Sequence, residues 1–173
     1  MVIRGFIAAS LDGYGADKSG GIGWLRTFED VDYGYNRFIS EIETVVLGRT
    51  TYDQIPSLGI GWPYPGNRGL VVTSRPLAKP YGGVEAWTLG VDKLISHLRE
   101  FDEGDVWVVG GAKLQWAFIE AGALEHLDLF LIPVLLGDGV PLFPRTMPAP
   151  RTLVLRNVAM LAKGMAHLTY SFA

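Results

Sequence analysis

The chain has 173 residues, the size of a single domain, and carries a net charge of −3 with no basic block; that balance excludes general binding to nucleic acid or to anionic membranes. It has no cysteine, which excludes disulfides, thiolate nucleophiles and thiolate metal sites. Hydrophobic residues make up 49% and charged residues only 19%, against about 25% charged in an average domain, so a large apolar interface or a broad pocket is expected.

Residues 2–9 read as a first buried strand that ends at Ser10-Leu11-Asp12-Gly13, followed by a glycine-rich loop through Gly23-Trp24. Helical spacing then appears at Val31, Tyr35, Phe38, Ile39 and Ile42. A second strand over 44–47 leads into a short helix, and the Pro/Gly-rich stretch 56–69 reads as a loop. Strands are expected over 70–73, 84–87 and 105–109. Helices near 92–101 and after Gly111 carry Leu94, Ile95, Leu98 and Phe101, then Leu114, Ala117, Phe118 and Ala121, with Gly122 as the stop. Later, Leu127, Leu129 and Leu131 alternate with His126, Asp128 and Phe130, a long loop covers 133–150, and a terminal hairpin covers 153–161 and 165–172. Eight strands and about four helices in this order imply an α/β domain with a mainly parallel sheet and an antiparallel C-terminal pair. No run approaches the roughly 18 apolar residues of a membrane span, and the N-terminal segment lacks the flanks of a signal peptide. A soluble cytoplasmic setting is the expectation.

Three strand ends carry chemistry. The apolar run Val45-Val46-Leu47 stops at Gly48-Arg49, with Thr50-Thr51 opening a helix. Val71-Val72 runs into Thr73-Ser74-Arg75, and Val108-Val109 into Gly110-Gly111-Ala112-Lys113-Leu114. In open α/β sheets ligands bind beyond the carboxyl ends of strands. Arginine forks and free N–H groups at a helix start make anion sites there. Arg49 and Arg75 beside Thr51 and Ser74 favour a cofactor with a 2′-phosphate, while Gly110 and Gly111 admit a pyrophosphate. Each feature also has a plain structural reading, as a tight turn or a solvated arginine. His97, His126 and His167 are scattered across different elements, and none is read as a metal ligand.

Taken in order, these segments resemble the dihydrofolate reductase superfamily, and most closely its stand-alone branch similar to the reductase domain of bifunctional riboflavin-biosynthesis proteins. Ile7-Ala8-Ala9-Ser10-Leu11-Asp12-Gly13 is similar to the first strand and loop of that branch, and Gly48-Arg49-Thr50-Thr51-Tyr52 to its Gly-Arg-x-Thr-aromatic cofactor motif. Thr73-Ser74-Arg75 resembles the second adenosine-side element, Val109-Gly110-Gly111-Ala112 the pyrophosphate glycines, and Ile132–Gly139 with Leu142-Phe143 the late strand and loop. The resemblance implies a single three-layer domain over 1–173, NADPH as hydride donor and, commonly in this branch, a homodimer. It places Ala9 by the nicotinamide, and Gly48, Arg49, Thr51, Ser74, Arg75, Gly110, Gly111, Ala112, Lys113 and Leu114 around the rest of the cofactor.

On the substrate side, dihydrofolate reductases place an acid at the start of the helix before the Gly-Arg motif, and Asp32 has that spacing. Asp12 is the rival, since the riboflavin-type branch has its matching acid near the nicotinamide. Equally, Asp30 caps the helix with Asp32 merely at its positive end, and Asp12 belongs to a turn. Tyr35, Trp24 and Trp62, with Tyr64, are candidates to line a slot for a planar heterocycle, either a pterin or a 5-amino-6-(5-phosphoribosylamino)uracil-like pyrimidine. Where dihydrofolate reductases carry an arginine for the folate glutamate, after Pro63-Tyr64-Pro65-Gly66, this chain has Asn67. True dihydrofolate reduction is one alternative, and a nucleotide-binding module without turnover is another.

Overall fold

Valines and leucines that are continuous in sequence end up buried on both faces of one sheet. In the computed structural model, which describes residues 1–100, 104–143 and 149–172, the strands are β1 (Ile3–Ser10), β2 (Tyr14–Ala16), β3 (Ile42–Gly48), β4 (Arg68–Val72), β5 (Val84–Trp87), β6 (Asp105–Gly110), β7 (His126–Ile132), β8 (Val140–Pro141), β9 (Leu153–Met160) and β10 (Ala166–Phe172). The helices are α1 (Tyr35–Glu41), α2 (Arg49–Gln54), α3 (Val91–Glu100) and α4 (Ala112–Glu120). Eight strands form the main sheet in the order β5-β4-β3-β6-β1-β7-β10-β9. The first six are parallel, and β10 runs antiparallel to both β7 and β9. This is the expected architecture, with its C-terminal hairpin at one side.

The layers follow from side-chain alternation. In β3, Val45, Val46 and Leu47 are all fully buried. Val46 packs with Leu94, Leu98, Leu114 and Phe118 of α3 and α4, while Val45 and Leu47 pack with Phe38 and Tyr52 of α1 and α2. A central parallel strand covered on both faces reads as one apolar run for this reason. Because the six parallel strands share one direction, their carboxyl ends line a single edge of the sheet.

Some boundaries differ from the sequence reading. The helix expected from Val31 begins only at Tyr35, because Gly34 adopts the left-handed conformation (φ 79°) at its N-cap. Val31 instead packs in a turn against Phe130, Ile132 and Met165. Asp30 does not cap this helix; it pairs with Lys163 in the turn between β9 and β10. The small β2–β8 ladder was not expected, since three residues against two give no periodic signal. Phe101 and part of the long loop lie outside the described residues. No helix among the described residues is long and apolar enough to cross a membrane.

The Trp62 ring lies over β4, where a Cβ built on Gly69 would sit 2.8 Å from its Cζ2 and 2.9 Å from Val84 Cγ2. Replacing Gly69 by alanine is expected to destabilise the fold by about 1–3 kcal/mol through overpacking and to perturb Trp62 fluorescence. Urea unfolding checks it, and an unchanged midpoint would refute the close packing.

Candidate functional site

The cofactor candidates gather where β3 and β6 end. Leu47 pairs with Gly110 in the ladder. A Cβ on Gly48 would lie 3.5 Å from Gly110 O and Gly111 N, and one on Gly111 would lie 3.4 Å from Thr51 Oγ1. The peptide between Gly110 and Gly111 is cis. The register of β3 with β6 brings the starts of α2 and α4 side by side, and neither has a side-chain cap. First-turn N–H groups have no intrahelical partner, so those of Ala112, Lys113 and Leu114 face the strand ends without a capping side chain. Ala9, near the end of β1, is fully buried, backbone included.

Arg49 bridges two strand ends. Its Nε donates to both oxygens of Asp53 at 2.8 and 2.9 Å, and its NH1 lies 3.5 Å from Thr73 Oγ1, 3.4 Å from Arg75 O and 3.3 Å from Pro76 O. The Thr73 hydroxyl accepts from the Arg75 N–H at 3.1 Å and closes that turn. Ser74 and Arg75 stand exposed beside it. Asp53 and Thr73 were not singled out in sequence, although the (i, i+4) spacing of Arg49 and Asp53 on a helix is a readable ion-pair signal.

Asp12 serves as a clasp. Its Oδ1 accepts from Ser10 Oγ at 2.6 Å and from the Leu136 N–H at 3.1 Å, and its Oδ2 accepts from the Gly137 N–H at 2.8 Å. The Ser10 hydroxyl first, then the two backbone donors, holds its pKa below the ordinary carboxylate value. Asp12 therefore ties the loop after β7 to the end of β1 as an anion.

The cleft lies elsewhere, between α1 and the sheet. It is open, holds about 510 Å³ and is lined in part by Phe6, Asp32, Tyr33, Asp128 and His167. Asp32 is exposed, and its Oδ1 accepts from the Gly34 N–H at 2.9 Å. Phe6 stacks on Phe38 at 4.1 Å and meets Phe130 at 4.7 Å, and Tyr35 meets the edge of Trp107 at 6.2 Å. Burial raises the pKa of Tyr33 and of Tyr35, so both stay neutral phenols. The structure separates the two tryptophans. Trp24 packs against the Phe130, Ile132 and Met165 cluster, whereas Trp62 stacks on Tyr81 at 5.8 Å in the Tyr52 and Val84 cluster. They do not form one slot, because β3, β6 and β1 stand between β4 and β7. The Nε1 donors of Trp24, Trp62 and Trp107 are occluded with no hydrogen-bond partner among the described residues.

Beyond Pro65-Gly66, Asn67 Nδ2 donates to Ile42 O at 2.5 Å and Arg68 pairs with Glu85 at 3.2 Å. Neither reaches toward the cleft. The cleft floor holds residues that the sequence reading did not select: Arg4, Asp128, His167 and Thr169. A signal existed, since Arg4 and Asp128 each interrupt a run of apolar strand residues.

The Asp12 clasp has a pH signature. A carboxylate with a lowered native pKa contributes stability above its unfolded pKa, near 3.9, and loses it as pH falls through the native value. Amide exchange at Leu136 and Gly137 is therefore expected to stay protected at neutral pH and to accelerate only below the ordinary carboxylate range. Asp12→Asn is expected to accelerate it at every pH. Equal protection in the variant would refute the clasp.

Residues 66–166 match the RibD C-terminal domain family. The Bacillus subtilis protein YwjB is 35% identical over 139 residues, covering 80% of each chain. Among solved structures, a Shewanella sp. PV-4 protein provisionally assigned to riboflavin biosynthesis superposes with a TM-score of 0.89 at 26% identity, over 100% of this chain and 99% of that one. The Thermotoga maritima diaminohydroxyphosphoribosylaminopyrimidine deaminase/5-amino-6-(5-phosphoribosylamino)uracil reductase shares the fold, with a TM-score of 0.76 at 17% identity over 99% of this chain and 56% of that one. With the family match spanning more than half of the chain, over the β4–β7 core and into β10, the protein belongs to the RibD C-terminal domain family.

Proposed function

We propose that the protein is an NADPH-dependent reductase of a planar nitrogen heterocycle, of the pterin or aminopyrimidine kind. The observation that carries this reading is the juxtaposed pair of helix starts at Gly48 and Gly111, with Arg49 across the neighbouring strand end. Absent Cβ atoms and uncapped N–H groups fit a pyrophosphate at Gly110, Gly111 and the first turn of α4. Arg49, Thr51, Ser74 and Arg75 fit the phosphate-bearing adenosine end. When bound, the dihydronicotinamide supplies a hydride. The chain's own work is to orient the acceptor against aromatic walls and to manage one proton. Asp12, an anion engaged in three hydrogen bonds, suits anchoring. Asp32 at the open rim suits proton entry from solvent. Family membership and the reductase named in the Thermotoga structure support the assignment to reduction. With Asn67 and Arg68 both engaged elsewhere, a folate glutamate finds no guanidinium there, which favours a smaller acceptor.

Fluorescence titration of NADPH and NADH tests the cofactor half. Arg49→Ala is expected to weaken NADPH by about ten- to a hundredfold, the scale of charge-assisted hydrogen bonds, and NADH by much less. Equal losses would remove the 2′-phosphate assignment. NADPH oxidation over a panel of pterins and aminopyrimidines tests the chemistry. Binding without oxidation of any of them, unchanged in Asp32→Asn, would leave a nucleotide-binding module instead.

We also propose a homodimer through the sheet face of β9 and β10. Leu155, Val158 and Met160 are 50%, 60% and 90% exposed on the terminal strand. They share a face with Tyr170, Leu168 and Ala166, their ladder partners in β10. An uncovered apolar sheet face of this kind marks an association surface. Light scattering is expected to give a dimer mass that falls to a monomer in Val158→Lys; a monomeric parent protein would refute it.

A further inference from the structure

Four polar side chains from three strands meet on the cleft floor, apart from the cofactor edge. Asp128 on β7 is 7% exposed. Its Oδ1 lies 2.7 Å from His167 Nε2 and 3.0 Å from Thr169 Oγ1, both on β10. Arg4 on β1 places a guanidinium nitrogen 3.6 Å from Oδ2. Ladder register sets this up, since Asp128 stands opposite Phe6 on one side and Thr169 on the other. A carboxylate so buried needs donors and a countercharge, and these supply both. The His167 ring stacks on Phe130 with centroids 4.4 Å apart and planes at 15°.

A carboxylate acceptor at Nε2 selects the tautomer with hydrogen on that nitrogen and leaves Nδ1 to meet a ligand. Nδ1 bonds to none of the described residues and is not occluded. The other charged and titratable groups on the cleft are Arg4 from β1, with Asp32, Tyr33, Arg37 and Glu41 from α1 and the turn before it. β9 presents Ala159 opposite His167, and its charged residue, Arg156, donates from Nε to Ser171 Oγ at 2.7 Å.

We propose that His167 binds and protonates the acceptor in this cleft, with Asp128 and Thr169 as positioning residues. This rests on the reductase reading and names the acid within it. The ligand is a planar heterocycle whose acceptor edge, a ring nitrogen or carbonyl oxygen, meets Nδ1. In the step assigned to His167 the Nδ1–H bond breaks, the acceptor's lone pair takes the proton, and the ring returns to its neutral Nε2–H form. Solvent restores the proton through the open mouth, past Asp32.

The test uses the full chain with NADP⁺, so that no turnover occurs, and lumazine as the probe. Protonated His167 donates from Nδ1 and the neutral form cannot. Lumazine affinity is therefore expected to fall about tenfold as rising pH removes that proton. His167→Gln should abolish that dependence and leave NADP⁺ affinity unchanged. Nitrogen NMR should show the Nε2–H tautomer in the parent protein, lost in Asp128→Asn, and lumazine should shift the His167 signals. The proposal is overturned if lumazine leaves those signals unmoved, if it fails to bind, or if the pH dependence survives in His167→Gln. Should His167 respond while NADPH reduces no heterocycle, the reductase reading falls and the proton site stands.

Discussion

The close approach of β3 and β6 at their carboxyl ends is the constraint on which the rest of the candidate site depends. Parallel pairing fixes the direction of both strands, and register places Leu47 against Gly110. At that separation Gly48 and Gly111 add no side chain of their own to the gap between the two helix starts, which Thr51 and Leu114 border. A side chain at either position would occupy the space between the two helix starts, although its Cβ alone would meet only ordinary van der Waals contacts. One piece of backbone geometry thus sets sheet register, helix placement and anion access together.

The cleft is built on a different principle. Its walls combine aromatic rings, with Phe6, Phe38 and Phe130 packed ring to ring and Tyr33 and Tyr35 held protonated by burial, with the charged Asp32, Arg37 and Glu41 on the α1 side. Its floor is charged. Arg4 contacts Glu41, Asp105 and Asp128 at once, so a single guanidinium ties α1, β6 and β7 together beneath the cleft. Burying Asp128 and most of Arg4 costs desolvation energy that hydrophobic residues of like size would avoid. A polar cluster in that position is therefore hard to explain by stability alone, whereas an apolar slot with a polar floor suits recognition of a flat heterocycle.

Much of this was legible before any coordinates. The run Val45-Val46-Leu47 before Gly48-Arg49 announced a strand covered on both faces, and the structure buries all three residues. Alternation in residues 166–172 announced a strand with two unlike faces. What the alternation could not say was which face mattered. The polar set His167, Thr169 and Ser171 turns toward the cleft and the side chains of Asp128 and Arg156, while the apolar set Leu168 and Tyr170 pairs with Val158 and Leu155 on the other face. The pairing of Trp24 with Trp62 failed for a related reason, because aromatic residues in two loops carry no information about which strands those loops overhang.

The sequence by itself determined the fold class, the order of elements and the glycines and arginines at the strand ends, because strand runs, glycines and helix starts are encoded by neighbours a few positions apart. Only the tertiary structure decided the cleft floor. Arg4, Asp128 and His167 are more than a hundred residues apart at their extremes and meet solely through the registers of β1 with β7 and of β7 with β10. A period-two pattern says which residues share a strand face, but a one-residue slip would exchange the faces. Proximity across strands is a property of the assembled sheet, and that proximity turns an isolated histidine and an isolated aspartate into a pair.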